Sequence, residues 1–209
     1  MCIIAVSRKG AKQPTLQQLA IMFAHNPHGA GYMTARDGKV IIHKGFLVWE
    51  DFQKAIEQEH FTKADPVVYH FRISTQAGVN PAMTHPFPLT SNPEMTEKLD
   101  VSCPVGLAHN GIIRLTSDST EKRYSDTSIF ITRYMSKLIR NKADVRNQAI
   151  HQMIDTLTES KWAIMDGTGL IVTIGRYIPD DGILFSNSSY QYYYYQDLGG
   201  KSYEGNYCR

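Results

Sequence analysis

Apolar residues along the chain change period several times, and each change predicts an element. Cys2-Ile3-Ile4-Ala5-Val6 is a continuous apolar run, and residues 2–7 read as a short buried strand. Residues 16–24 have helical spacing behind Pro14-Thr15, with Thr15 placed as the N-cap. Residues 29–35 and 39–43 flank Asp37-Gly38, which is a hairpin signal. Residues 51–60 are helical again. Residues 66–74 read as a strand, with Val67, Val68, Tyr69 and Phe71 supplying β-branched and aromatic side chains.

The next stretch, residues 76–100, is thick with Pro, Asn, Ser and Thr and reads as loop. Residues 105–109 and 112–115 flank Asn110-Gly111, a second hairpin-like pair. Ser125-Asp126 opens a helix running towards residue 140, and another follows around 145–157. Residues 162–165 and 170–174 read as a hairpin turned at Asp166-Gly167. Strands come first, then a helical block, then strands. That order predicts an α+β chain with segregated layers rather than alternating βαβ units. The last twenty residues hold seven tyrosines, among them Tyr192-Tyr193-Tyr194-Tyr195, and read as an edge strand, an interaction segment or a disordered tail. The expected organisation is one domain over residues 2–190 with a Tyr-rich tail over 191–209.

Composition narrows the picture without sharpening it. The 209 residues, 42% hydrophobic and 20% charged, suit a single globular domain. A formal charge of +2 with scattered Lys and Arg gives no nucleic-acid footprint. No apolar run approaches the roughly 18 residues of a membrane span. No secretory signal is read at the start, because Arg8 and Lys9 follow the apolar run instead of preceding it. The same absence excludes Cys2 as a lipidated cysteine. Cys2, Cys103 and Cys208 are odd in number, far apart and lack CxxC spacing, against a disulfide framework or a thiolate zinc site. A reducing, cytoplasmic setting fits them. His25-x-x-His28 has no carboxylate or second pair at diagnostic spacing, and Gly29-x-Gly31 has no third glycine, so neither a metal nor a dinucleotide is expected. No cofactor is implied.

Cys2 carries the chemistry. A cysteine in an apolar strand is ordinarily a small buried hydrophobe. At position two, however, removal of Met1 would leave a thiol and a free α-amine on one residue. An α-amine titrates near ~7.7–8.0, so nucleophile and base would travel together.

Four further segments follow in order: His70-Phe71-Arg72-Ile73-Ser74-Thr75, Asn80-Pro81-Ala82-Met83-Thr84-His85-Pro86, His109-Asn110-Gly111-Ile112 and Tyr124-Ser125-Asp126-Thr127. With Cys2, and with Phe185-Ser186-Asn187 and Ser189-Tyr190 near the end, this order resembles the class II glutamine amidotransferase (glutaminase) domain over roughly residues 2–190. The chain departs from the family pattern at Ile3, where glycine is usual, at Ile73, where many members have Trp, and at Gln76, where some have His.

The resemblance implies a four-layer α/β/β/α sandwich of the N-terminal nucleophile hydrolase type. It also implies acyl transfer from the glutamine side-chain amide to Cys2, releasing ammonia and then glutamate. By the same resemblance Arg72 grips the substrate α-carboxylate, Asp126 binds its α-ammonium and Thr75 contacts it. The Asn110 side-chain amide and the Gly111 N–H form the oxyanion hole. Since the pattern fills nearly the whole chain, the implied ammonia acceptor is a separate ligase or synthase, docked on the Tyr-rich tail. Read singly, Arg72 is equally a cation at a strand end, Asn110-Gly111 a tight turn and Asp126 a helix cap. Two other readings stay open: an N-terminal Cys amidase acting on another amide, and a non-catalytic binding domain.

Overall fold

The computed structural model describes residues 2–74, 79–116 and 123–191. The first strand, β1 (Ile3–Ser7), is wholly buried. Helix α1 (Leu16–His25) starts at Thr15, whose hydroxyl accepts the Gln18 N–H while the Gln18 side chain accepts the Thr15 N–H, a reciprocal capping box. β2 (Ala30–Arg36) and β3 (Lys39–Phe46) form the expected hairpin. Asp37 and Gly38 both take positive φ (51° and 75°), as a turn matched to strand twist requires. Helix α2 (Trp49–Glu59) stops at His60 in the left-handed region, and β4 (Val67–Phe71) follows.

The segment read as loop is more structured than its composition suggests. It holds a 3-10 turn (Pro81–Met83), a two-residue strand β5 (Phe87–Pro88), a short helix α3 (Pro93–Glu97) capped by Asn92, and β6 (Asp100–Cys103) paired with β3. β7 (Val105–Asn110) then runs to the site. The hairpin expected at Asn110-Gly111 does not form. The chain leaves the sheet after Gly111 and makes a 3-10 turn (Arg114–Thr116), because β7 is already flanked by β5 and by the later strand β8 (Lys161–Asp166).

The helix expected from Asp126 is interrupted. α4 (Asp126–Phe130) passes into a π-helical turn (Ile131–Met135) and ends in α5 (Ser136–Leu138). α6 (Gln148–Thr158) is capped by Asn147. β9 (Ile171–Ile174) pairs with β8, and two strands not foreseen, β10 (Ile178–Asp180) and β11 (Ile183–Phe185), complete the described chain. The Tyr-rich tail from residue 192 lies outside the described residues.

The eleven described strands form two sheets, ordered β10-β11-β1-β4-β2-β3-β6 and β5-β7-β8-β9, with every pairing antiparallel. This corrects the expectation of a four-layer α/β/β/α sandwich of the N-terminal nucleophile hydrolase type. The fold is β-rich with few helices, and only α1, α2 and α6 reach ten or eleven residues. The 126–138 stretch is broken by its π turn, and α3 is five residues long. Helical spacing in the sequence overstated how much of the chain those helices would occupy.

Strand alternation builds the core. Ile4 and Val6 of β1 join Met33, Val68, Ala108 and Ala163 in a cluster drawn from both sheets. Ile3 and Ala5 point the other way, onto Leu19, Met22 and Phe23 of α1 and Phe52 of α2. The start of β1, where Cys2 sits, is thereby fixed from both faces. Among the described residues no helix is long and apolar enough to cross a membrane.

Candidate active site

Antiparallel pairing of β1 with β4, with Ile3 opposite Phe71, sets Cys2 beside the residues that follow β4. The Cys2 sulfur lies 3.3 Å from the Ile73 nitrogen, which donates to it, and 3.5 Å from the Ile73 carbonyl oxygen. Burial raises the thiol pKa above its ordinary value; the Ile73 N–H and the positive charge of Arg72 pull the other way. At neutral pH the group is therefore a thiol rather than a thiolate. The Cys2 carbonyl accepts a 2.7 Å hydrogen bond from Asn187 Nδ2, which fixes the peptide on the other side of the residue.

Arg72 follows β4 and is buried, 6% exposed. Its backbone is tied into the neighbouring segment: its N–H donates to the Gly29 carbonyl at 2.8 Å and its own carbonyl accepts from His28 at 2.9 Å. Burial lowers the guanidinium pKa, while Cys2 and Asp126 favour its charge. An arginine keeps its proton at any physiological pH, so a fixed cation stands close to the thiol.

Asn110 ends β7, opposite Lys161 of β8. Gly111 comes next, and a Cβ built there would collide with the side chain of Ser160. This glycine serves a close approach rather than a positive-φ turn, so the tight-turn reading of Asn110-Gly111 does not hold. Cys2, Ile73, Asn110 and Gly111 line one cleft of about 540 Å³, together with Leu157 of α6 and Ser160 just beyond it. Two of its apolar side chains face solvent, Ile112 at 54% and Leu157 at 42% exposure.

Asp126 is the first residue of α4, with Ser125 as the N-cap. Its Oδ2 accepts the Ile113 N–H at 2.8 Å and its Oδ1 accepts the Thr127 N–H at 2.7 Å. The carboxylate thus holds the chain just beyond Asn110-Gly111 while its charge acts on Arg72. It does not line the cleft that holds Cys2. Thr75 lies outside the described residues, as does Gln76.

One histidine from each of three sequence motifs meets in the interior. His85 Nδ1 is 2.7 Å from His70 Nε2, which is 3.0 Å from the His109 carbonyl oxygen. His109 Nδ1 is 2.9 Å from Thr127 Oγ1. Burial pushes the pKa of His70 and of His109 down to about 3, and that of His85 well below its ordinary value, so all three are neutral. Asn110 adjoins His109, Asp126 adjoins Thr127 and Arg72 stands two residues past His70, so the string ties the site's three segments together. His25 and His28 have other partners, the Ser189 carbonyl at 2.8 Å and the Ser74 N–H at 2.9 Å. Among the described residues no group of three or more His, Cys, Asp or Glu is placed to hold a metal ion.

Sequence reasoning missed the Ile73 N–H, the end of α6 and the partners of Ser186. A backbone donor and a helix end leave no side-chain signature. Ser186-Asn187 was visible as a segment but carried no assigned role. No protein-family model matches this chain, and no curated protein matches it.

Proposed function

We propose that the protein is a glutaminase whose nucleophile is Cys2, exposed as the N-terminal residue by removal of Met1. One observation carries the reading: a half-buried thiol held on the Ile73 N–H, beside the Arg72 cation, in a cleft that Asn110 and Gly111 also line. The raised thiol pKa calls for a base, and the α-amine of the same residue supplies one.

In this mechanism the amine takes the thiol proton and the thiolate attacks the side-chain carbonyl carbon of glutamine. The Asn110 amide and the Gly111 N–H meet the charge that grows on oxygen. The C–N bond then breaks, and the amine's proton leaves with ammonia. Water, deprotonated by the freed amine, hydrolyses the γ-glutamyl thioester to glutamate and restores the thiol. Arg72 takes the substrate α-carboxylate. Asp126, whose carboxylate stands outside the cleft, supports that grip by favouring the charge of Arg72. The ammonia goes to a separate ligase or synthase, and a reducing, cytoplasmic setting keeps the thiol free.

A second reading is supported by the cleft itself. At about 540 Å³, with Ile112 and Leu157 in its wall, it has the size of a site for a ligand larger than a free amino acid. An N-terminal Cys amidase acting on an N-substituted amide would use the same machinery. The deciding experiment is intact-mass measurement of protein purified from cells, followed by glutamate release from glutamine. Loss of Met1 with glutamate formation is expected. Retained Met1, or processed protein inert towards glutamine, would end the first reading. Faster turnover of an N-substituted γ-glutamyl amide would install the second.

A further inference from the structure

Ser186 directly follows β11 and is fully buried between the nucleophile's strand and the end of β7. Its N–H donates to the Ile4 carbonyl at 2.9 Å, and the Ile4 N–H donates back to its Oγ at 2.8 Å. The Asn110 side-chain amide ends 2.9 Å from the same Oγ, with the amide nitrogen facing it. The other end of that amide, Oδ1, is buried with no hydrogen-bond partner among the described residues.

Counting donors and acceptors decides which way the amide faces. A serine hydroxyl has one proton to give and two lone pairs to receive with. With the Asn110 nitrogen towards it, Ser186 Oγ receives two N–H groups, its own proton has no acceptor and Asn110 Oδ1 is left bare. Two buried polar groups then go unmet. The amide oxygen and nitrogen are isosteric, so reversing them costs no space. Reversed, the Ser186 hydroxyl donates to Asn110 Oδ1 and still accepts from Ile4. The only unmet group is then the Asn110 NH₂, turned away from Ser186 and itself buried in the resting protein, on a residue that lines the cleft.

We infer that Ser186 is a positioning residue: its hydroxyl proton holds the Asn110 amide with the NH₂ aimed at the reacting oxygen, from a hydroxyl that the nucleophile's own strand fixes. This rests on the glutaminase reading and deepens it. An NH₂ left without a partner in the resting protein is a donor kept for charge that appears only in the transition state. Asn187, the next residue, holds the Cys2 carbonyl, so two adjacent residues set the oxyanion donor and the nucleophile's backbone from one short segment.

Two measurements on processed, full-length protein test it. The first needs no catalysis. A cross-relaxation peak in NMR between the Ile4 amide proton and the Asn110 side-chain NH₂ protons requires that NH₂ to face Ser186, and would overturn the proposal. A peak between the Ser186 hydroxyl proton and Ile4, with none to the Asn110 NH₂, is expected. The second is a double-mutant cycle on glutamine hydrolysis. Ser186→Ala is expected to lower kcat roughly 10-fold or more with KM little changed, and Ser186→Thr, which keeps the hydroxyl, to restore most of it. In an Asn110→Ala background Ser186→Ala should cost nothing further, because Ser186 acts only through that amide. Equal losses in both backgrounds would show a merely structural role. Processed wild-type protein that leaves glutamine intact defeats the glutaminase reading, while the first measurement still settles the amide's direction.

Discussion

The backbone nitrogen of Ile73 donates to the sulfur of Cys2 across 3.3 Å. With the Arg72 charge it opposes a burial that raises the thiol pKa, and burial wins. Alkylation of Cys2 by iodoacetamide should accordingly accelerate with pH through a midpoint above that of an ordinary thiol. Arg72→Gln, which removes one of the two opposing influences, should move the midpoint higher still. Glutamine hydrolysis should instead rise with pH near ~7.7–8.0, the range of a free α-amine, since the proposed mechanism makes that group the base. A rate profile that tracks the thiol's own midpoint would remove the amine from the mechanism.

Asn110→Ala should lower kcat by about 10²–10³-fold and leave KM nearly unchanged, because the amide is used only when charge develops on oxygen. Steady-state kinetics on glutamine give both numbers. A raised KM with normal kcat would make Asn110 a ground-state binding residue instead.

Arg72 presents a planar cation that a lysine cannot copy. Arg72→Lys keeps the charge beside Cys2 but loses paired recognition of a carboxylate, so KM for glutamine should rise about tenfold, while loss of both bonds in Arg72→Gln should raise it further. Glutamine analogues lacking the α-carboxylate should be indifferent to either change. If they respond as glutamine does, Arg72 is tuning the thiol and not gripping the substrate.

The parts of this structure legible in the sequence are those fixed by neighbours in the chain. Thr15 and Gln18 cap α1 within four residues, and Asp37-Gly38 dictates its own hairpin. What failed was set by partners far away. β10 and β11 exist because β11 pairs with β1, some 180 residues earlier, and β6 because it pairs with β3 across the Pro-rich stretch. The four-layer sandwich inferred from motif order gave way to a β-rich pair of sheets, since motif order says nothing of helix length or of a π turn at Ile131–Met135. In the candidate site, Cys2, Asn110 and Gly111 were named from sequence and share one cleft, yet the Ser186 hydroxyl beside Asn110 had no signal beyond its place in a short polar segment.

The hairpin expectation makes Gly111 a turn glycine; the structure makes it a packing glycine. Its missing side chain lets the strand end lie against Ser160, where a methyl group would meet both Oγ and Cβ. Gly111→Ala should therefore displace the oxyanion segment and cost activity along with about 1–3 kcal/mol of stability. Ser160→Gly in the same chain removes both colliding atoms and should recover much of the stability. Failure of that rescue, measured by urea denaturation, would show that the damage is to the backbone of Gly111 itself.

The buried histidines make the fold itself sensitive to acid. His70 and His109 titrate near 3 in the folded chain because burial disfavours their charge, and near ~6.5 when unfolded. A depressed folded pKa means that the unfolded chain binds the proton first. The stabilisation is thus fully present above pH ~6.5 and is lost as pH falls from there towards 3. At pH 4.5, about two pH units below the unfolded value, the loss is on the order of 2 kcal/mol for each of the two, a large fraction of a typical domain's stability. Unfolding free energies from urea titrations at pH 7.5 and 4.5 should differ by at least the sum of those two losses, with His85 adding in the same direction. His109→Asn keeps a polar atom near Thr127 Oγ1 but cannot take up a proton, so with His70 and His85 remaining it should remove about a third of the difference while lowering stability at pH 7.5. If the variant loses stability in acid as steeply as the parent, carboxylates rather than this string set the acid limit.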